Sequence, residues 1–179
     1  MKVRISLVLG VAVALALPAF AQAASLPKNG STLIVPAKSL GGVKLNGSLT
    51  AAVAVWGKGG SCNPNGCEYG TPSGPNGTAN LLAGKLSESG PVLVVSISIG
   101  VGRIGTTVKP SFKTPLTRYR TASGIGIGST VKELRHAYSH LLSYEGKVFS
   151  LKGAGKSSTT FIAENGRVET ITIQSVHLG

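Results

Sequence analysis

Gly42-Val43-Lys44-Leu45-Asn46-Gly47-Ser48, running into Leu49 to Trp56, aligns without a gap on Gly124-Ile125-Gly126-Ile127-Gly128-Ser129-Thr130, running into Val131 to Tyr138, 82 positions further on. Few residues are identical, yet the chemistry agrees position by position. Val43/Ile125 and Leu45/Ile127 keep an alternating apolar pair, Asn46/Gly128 both tolerate a positive φ, and Ser48/Thr130 are both good helix N-caps. Each block closes on an aromatic residue, Trp56 or Tyr138. The pattern predicts two small units of one design.

In the first block Leu49, Ala52, Val53 and Trp56 fall at i, i+3, i+4 and i+7, the spacing of a short amphipathic helix, which Gly57 ends. In the second, Val131, Leu134, Tyr138, Leu141 and Leu142 form an apolar stripe, and Thr130 with Glu133 has the spacing of a capping box. Strand-like runs follow each helix: Cys67 to Gly70, Thr78 to Leu86 and Val92 to Ile99 after the first, then Lys147 to Lys152, Ser158 to Ala163 and Val168 to Ser175 after the second. Asn165-Gly166 is a two-residue hairpin signal between the last two. The expected fold class is therefore α+β: two tandem repeats, each a short helix packed on an antiparallel β-meander, over residues 24–100 and 121–179.

Residues 1–23 read as a signal peptide. Lys2 and Arg4 precede an apolar run from Ile5 to Leu17, and Ala21-Gln22-Ala23 is a small-x-small cleavage pattern, placing the cut after Ala23. That run of about 13 residues is short for a bilayer core, so no membrane span is expected in the mature chain. The expected location is secreted, or extracytoplasmic. Such a compartment makes Cys62 and Cys67, the only cysteines, a disulfide pair, with Pro64-Asn65-Gly66 supplying the turn between them.

The whole chain has 18 Lys and Arg against 6 acidic residues, none of them aspartate, for a net charge of +12. Such a balance favours anionic neighbours: wall polymer, acidic lipid, nucleic acid or an acidic protein face. The bias peaks in residues 101–120, read as a basic linker, where Arg103, Lys109, Lys113, Arg118 and Arg120 are candidate contacts to an anionic partner. Phe112 and Tyr119 are interleaved with them, and Pro110 and Pro115 exclude a long helix.

Several motifs imitate catalysis or cofactor binding without the context that either needs. Gly100-Val101-Gly102-Arg103-Ile104-Gly105 fits G-x-G-x-x-G but is not followed by a helix that could hold a pyrophosphate. Gly153-Ala154-Gly155-Lys156-Ser157 ends like a P-loop, yet Ser150 stands at the first glycine position. His136 and His140, four apart on the second predicted helix, make too few ligands for a metal site. With no G-x-S-x-G and no paired carboxylates, no catalytic residue, cofactor or metal is expected. The Asn-x-Ser/Thr triplets at Asn29, Asn46 and Asn76 are acceptors only in a eukaryotic route, and the Ala-rich signal reads as bacterial.

Asn46-x-Ser48 with Trp56 and Gly57, followed by Cys62 and Cys67, resembles the repeated module of the β-lactamase inhibitory protein family. Gly128-Ser129-Thr130-Val131-Lys132-Glu133-Leu134 resembles the same element in a second copy, and both look like the module of SmpA/OmlA-type outer-membrane assembly lipoproteins. The resemblance implies helices packed on antiparallel sheets that present a surface to another protein. The chain departs from the family at Asn46, which replaces a glycine, at Ala52, in its cysteine-free second copy and in its basic linker, so β-lactamase inhibition does not carry over. The expectation is a secreted, non-enzymatic protein-binding or inhibitor-like module. The rival is a cell-envelope structural protein held to anionic wall or membrane polymer by charge.

Overall fold

The computed structural model describes residues 25–71, 76–84, 92–99, 111–155 and 157–175. The predicted signal segment, Arg103, Lys109 and the Gly100 to Gly105 motif lie outside the described residues.

Both helices begin where the capping chemistry places them. Helix α1, Leu49–Trp56, is capped by Ser48 (φ −76°, ψ 156°), whose hydroxyl accepts from the Ala51 amide at 3.1 Å, and it stops at Gly57, φ 89°. Helix α2, Val131–Ala137, is capped by Thr130 (φ −75°, ψ 155°), whose hydroxyl accepts from the Glu133 amide at 3.2 Å. Glu133 Oε2 in turn accepts from the Thr130 amide at 2.7 Å, completing the capping box. That amide, together with the Thr130 hydroxyl, holds the Glu133 carboxyl below the usual glutamate range. The α2 stripe ends sooner than its spacing predicts. Tyr138 leaves the helix at φ −136°, and Leu142, the last apolar residue of the stripe, belongs to a strand.

Twelve strands surround these helices among the described residues. Four short ones, β1 (Leu33–Val35), β2 (Ser39–Leu40), β3 (Val43–Lys44) and β8 (Arg120–Thr121), form a small sheet of order β3-β2-β1-β8. In it β1 runs parallel to β8, pairing Leu33 with Arg120 and Ile34 with Thr121. A 3-10 turn over Pro115–Arg118 leads into β8.

The remaining eight are β4 (Ser61–Asn63), β5 (Gly66–Gly70), β6 (Thr78–Gly84), β7 (Val92–Ser98), β9 (Leu142–Tyr144), β10 (Val148–Lys152), β11 (Ser157–Glu164) and β12 (Arg167–Ser175). They make one antiparallel sheet of order β4-β5-β6-β7-β12-β11-β10-β9. Each helix thus precedes a four-stranded meander, and the two meanders share one sheet through the β7–β12 pairing. Asn165 (φ 52°) and Gly166 (φ 76°) form the turn between β11 and β12, with the two consecutive left-handed residues that a tight hairpin prefers. Gly128 is likewise left-handed (φ 88°), but Asn46, its counterpart in the alignment, is not among the positive-φ residues.

Period-two alternation decides which face of the large sheet is covered. Tyr69, Leu81, Val95, Ile97, Phe149, Phe161, Ile171 and Ile173 are all 0% exposed and face the helices and the small sheet. Trp56 of α1 meets the Tyr69 ring edge-on at 5.4 Å, and Tyr138, just past α2, stacks on Phe161 at 6.2 Å. The loop after β1 also reaches the second meander, where the Ala37 amide donates to the buried Thr159 hydroxyl at 2.7 Å. Burial raises the Tyr69 phenol, and burial with help from Glu164 raises the Glu169 carboxyl.

Cys62 and Cys67 form a disulfide between directly opposed residues of β4 and β5, which is compatible with an extracytoplasmic protein. So short a loop stabilises by only about 2 kcal/mol in the chain-entropy picture. The double substitution of both cysteines to Ser is expected to lower stability by about that amount in urea titration, because β5 stays paired to β6 without it. Global unfolding of that variant would show that the bridge holds more than an edge hairpin.

Candidate functional site

The face of the large sheet turned away from the helices carries a central polar row flanked by apolar residues. Register pairs Ser61 with Glu68, Glu68 with Asn80, Asn80 with Ser96, Ser96 with Thr172, Thr172 with Thr160, Thr160 with Ser150, and Ser150 with Leu142. One row therefore crosses all eight strands. A neighbouring row runs Gly70, Thr78, Ser98, Thr170, Ile162, Val148, Tyr144; it mixes apolar with polar residues, Thr78 and Ser98 in it are buried, and the Ser98 and Thr170 hydroxyls lie 2.6 Å apart. On the other side, Gln174 pairs with Ser158 and Ser158 with Lys152. The residues from Glu68 to Ser150 in the first row are half-buried, neither packed into the core nor fully solvated.

Large apolar side chains bracket this hydroxyl field. Leu142 is 40% and Tyr144 57% exposed on edge strand β9, and Leu82, on β6 near the opposite edge, is 55% exposed. Beside Leu82 a small hollow of about 280 Å³ is lined by Asn63, Asn65, Glu68 and Asn80. Among the paired residues of the three rows, only Glu68 and Lys152 carry charge.

Positive charge gathers elsewhere. One groove of about 740 Å³ is lined by Lys38 and Lys44 with the Gly153–Ala154 loop. A second, also about 740 Å³, is lined by Arg120, Arg167, Glu133 and His136. There Arg120 Nη1 donates to the Gly124 carbonyl at 2.8 Å and to Ser129 Oγ at 3.3 Å, and Arg167 Nη1 donates to the Gly128 carbonyl at 2.8 Å.

Of the five basic-segment candidates, Lys113, Arg118 and Arg120 are described, and they make different contacts. Arg120 lines the second groove, while Arg118 donates to the Pro27 carbonyl at 2.5 Å and to the Tyr119 hydroxyl at 3.1 Å. Lys113 is exposed near Phe112, and Arg103 and Lys109 lie outside the described residues. His136 is exposed on α2, whereas His140 falls in the turn beyond it, so the two do not share a helix face. Among the described residues no three His, Cys, Asp or Glu side chains gather as a metal set, and no helix is long and apolar enough to cross a membrane.

Sequence reasoning passed over Leu82, Tyr144, Arg167 and the hydroxyl row, and placed Leu142 on a helix stripe instead of a strand. The signal was present in Ser96-x-Ser98, Ser158-x-Thr160 and Thr170-x-Thr172, the polar halves of alternating strands. The chain matches no family model, no curated protein and no solved structure among those compared with it.

Proposed function

We propose that this protein is a secreted, non-enzymatic protein-binding or inhibitor-like module, built from two copies of one unit, whose contact surface is the open face of the shared sheet. The carrying observation is the row from Ser61 to Leu142 that crosses eight strands without interruption. Seven inter-strand steps make it about 34 Å long, and the inner strands, of five to nine residues, give a face at least roughly 17 Å deep. That patch approaches the ~800 Å² per partner of a standard protein interface once side-chain relief is included.

The two-copy reading draws support from paired details. Ser48 and Thr130 cap their helices at nearly the same dihedrals, and Val43/Ile125 and Leu45/Ile127 are all buried. Strands β5 and β10 also begin and end at the same offset as the aligned blocks. A helix on a sheet whose far face is free is the arrangement that resemblance to the β-lactamase inhibitory protein family implies.

Protein fits this face better than polyanion. Short hydroxyls and amides pair with a partner's backbone and side chains, and exposed Leu and Tyr at the margins supply apolar anchors. A polyanion would require cations there, and the rows offer Lys152 against Glu68. Affinity capture with the mature chain, at about 50 mM and then about 500 mM salt, tests the reading. A protein partner is expected at both concentrations. Capture of anionic polymer alone, lost at the higher salt, would replace this proposal with the envelope-attachment one.

A further inference from the structure

We infer that the groove between the β8–α2 connection and the start of β12 is a binding site for a phosphate group, with Arg120 and Arg167 as its two anion-holding residues. Both guanidinium groups line this groove, and both are held in place by the chain's own backbone. Arg120 is tied to the Gly124 carbonyl and Ser129, and Arg167 to the Gly128 carbonyl, so two ends of one short loop fix them. The Arg167 guanidinium also sits over the Phe112 ring at 5.8 Å. A long side chain already fixed in this way loses little rotamer freedom when it takes a ligand.

What the protein uses is one nitrogen of each fork. A guanidinium carries five N–H donors, and among the described residues the acceptors just named engage only Nη1 of Arg120 and Nη1 of Arg167. Nε and Nη2 of each remain for a planar or tetrahedral oxyanion, the geometry for which arginine is suited. Their charge is only partly offset: Glu133 lines the same groove, and after its hydrogen bonds to Thr130 both arginines help to lower its carboxyl. Among the described residues the ion pair within 4 Å is Lys147 with Glu164, so neither arginine is paired with Glu133 across the groove. Glu133 Oε2 is occupied by the Thr130 amide and hydroxyl. The lining thus presents two fixed cations against one engaged carboxylate, with His136 beside them.

The groove's volume of about 740 Å³ exceeds what a bare phosphate fills, and Ser123 and Ser129 line it as further polar groups. A phosphate monoester on a small polyol or sugar suits this space. The site is separate from the open sheet face, so its failure leaves the protein-binding proposal standing.

The test uses the mature protein with inorganic phosphate and glycerol 3-phosphate as probes, and glycerol and chloride at matched ionic strength as controls. Modification of arginines by a dicarbonyl reagent, read by mass spectrometry, should be suppressed by both phosphate probes at Arg120 and Arg167. Arg135, on α2 outside the groove lining, should be modified at an unchanged rate. Stronger protection by glycerol 3-phosphate assigns the phosphate to a phosphorylated polyol; equal protection assigns it to the free ion. The double variant Arg120→Gln, Arg167→Gln should bind glycerol 3-phosphate at least about tenfold more weakly by calorimetry, the scale of losing charge-assisted hydrogen bonds. Because those side chains also brace the loop, the footprint on the unaltered protein stands as the independent measurement. No phosphate-dependent protection, equal protection by chloride, or undiminished binding by a folded double variant would overturn the site.

Discussion

Trp56→Ala is expected to destabilise the protein by about 4 kcal/mol, the range of large aromatic truncations in well-packed cores. Trp56 is 1% exposed at the end of α1 and joins that helix to two other parts of the fold. Its ring packs edge-on against Tyr69 of β5, and its indole N–H donates to the Gly41 carbonyl in the β2–β3 turn at 3.3 Å. Tyr69 in turn donates to the Gly57 carbonyl at 2.7 Å, tying the helix end back to the sheet. Truncation removes the packing, opens a cavity, and leaves a buried carbonyl without its donor. Tyr138→Ala should cost clearly less, because Tyr138 is half-buried and contributes a stacked contact with Phe161. Urea denaturation followed by circular dichroism checks both. A loss under about 1 kcal/mol for Trp56→Ala would mean that α1 is not locked to the sheet in this way.

The contrast between those two aromatics also marks what the sequence makes legible. Capping is local chemistry: a hydroxyl reaches an amide three residues on, so Ser48, Thr130 and Glu133 announce their helix starts without knowledge of the fold. Strands β6, β7, β11 and β12 are long enough for alternation to show, and Asn165-Gly166 marks its own turn. The end of α2 is not readable in this way. Tyr138, Leu141 and Leu142 continue a helical period, but Leu142 is needed in β9, whose three residues are too few to display an alternation. Strands β1, β2, β3 and β8 are shorter still, and the parallel β1–β8 pairing joins segments far apart in the chain. The candidate surface follows the same logic. Thr172 lies beside Ser96 and Thr160 through register between strands from both halves, a property that no single stretch contains. Within the basic segment, prominent in composition, Arg118 and Arg120 satisfy different backbone carbonyls, which composition alone does not foretell.

That register makes Thr172 the place to test the open face. It sits near the middle of the eight-strand row, half-buried, with Ser96 on one side and Thr160 on the other. Thr172→Arg and Thr172→Glu each put a long charged side chain on the face opposite the core. Stability should fall by no more than about 1 kcal/mol, the span of strand preference at a half-buried position that packs no core. Binding should respond far more strongly. A charge forced into the desolvated centre of a close-packed interface costs about 2 kcal/mol or more, a loss of roughly thirtyfold in affinity, and it does so with either sign. An anionic polymer held by long-range attraction would discriminate by sign: Arg would strengthen attachment, Glu would weaken it, and salt would suppress the difference. Parallel loss of the captured partner by both variants is the expected result. A gain with Arg and a loss with Glu would move the function from shape recognition to charge, and unchanged capture by both would remove the centre of this face from the interface.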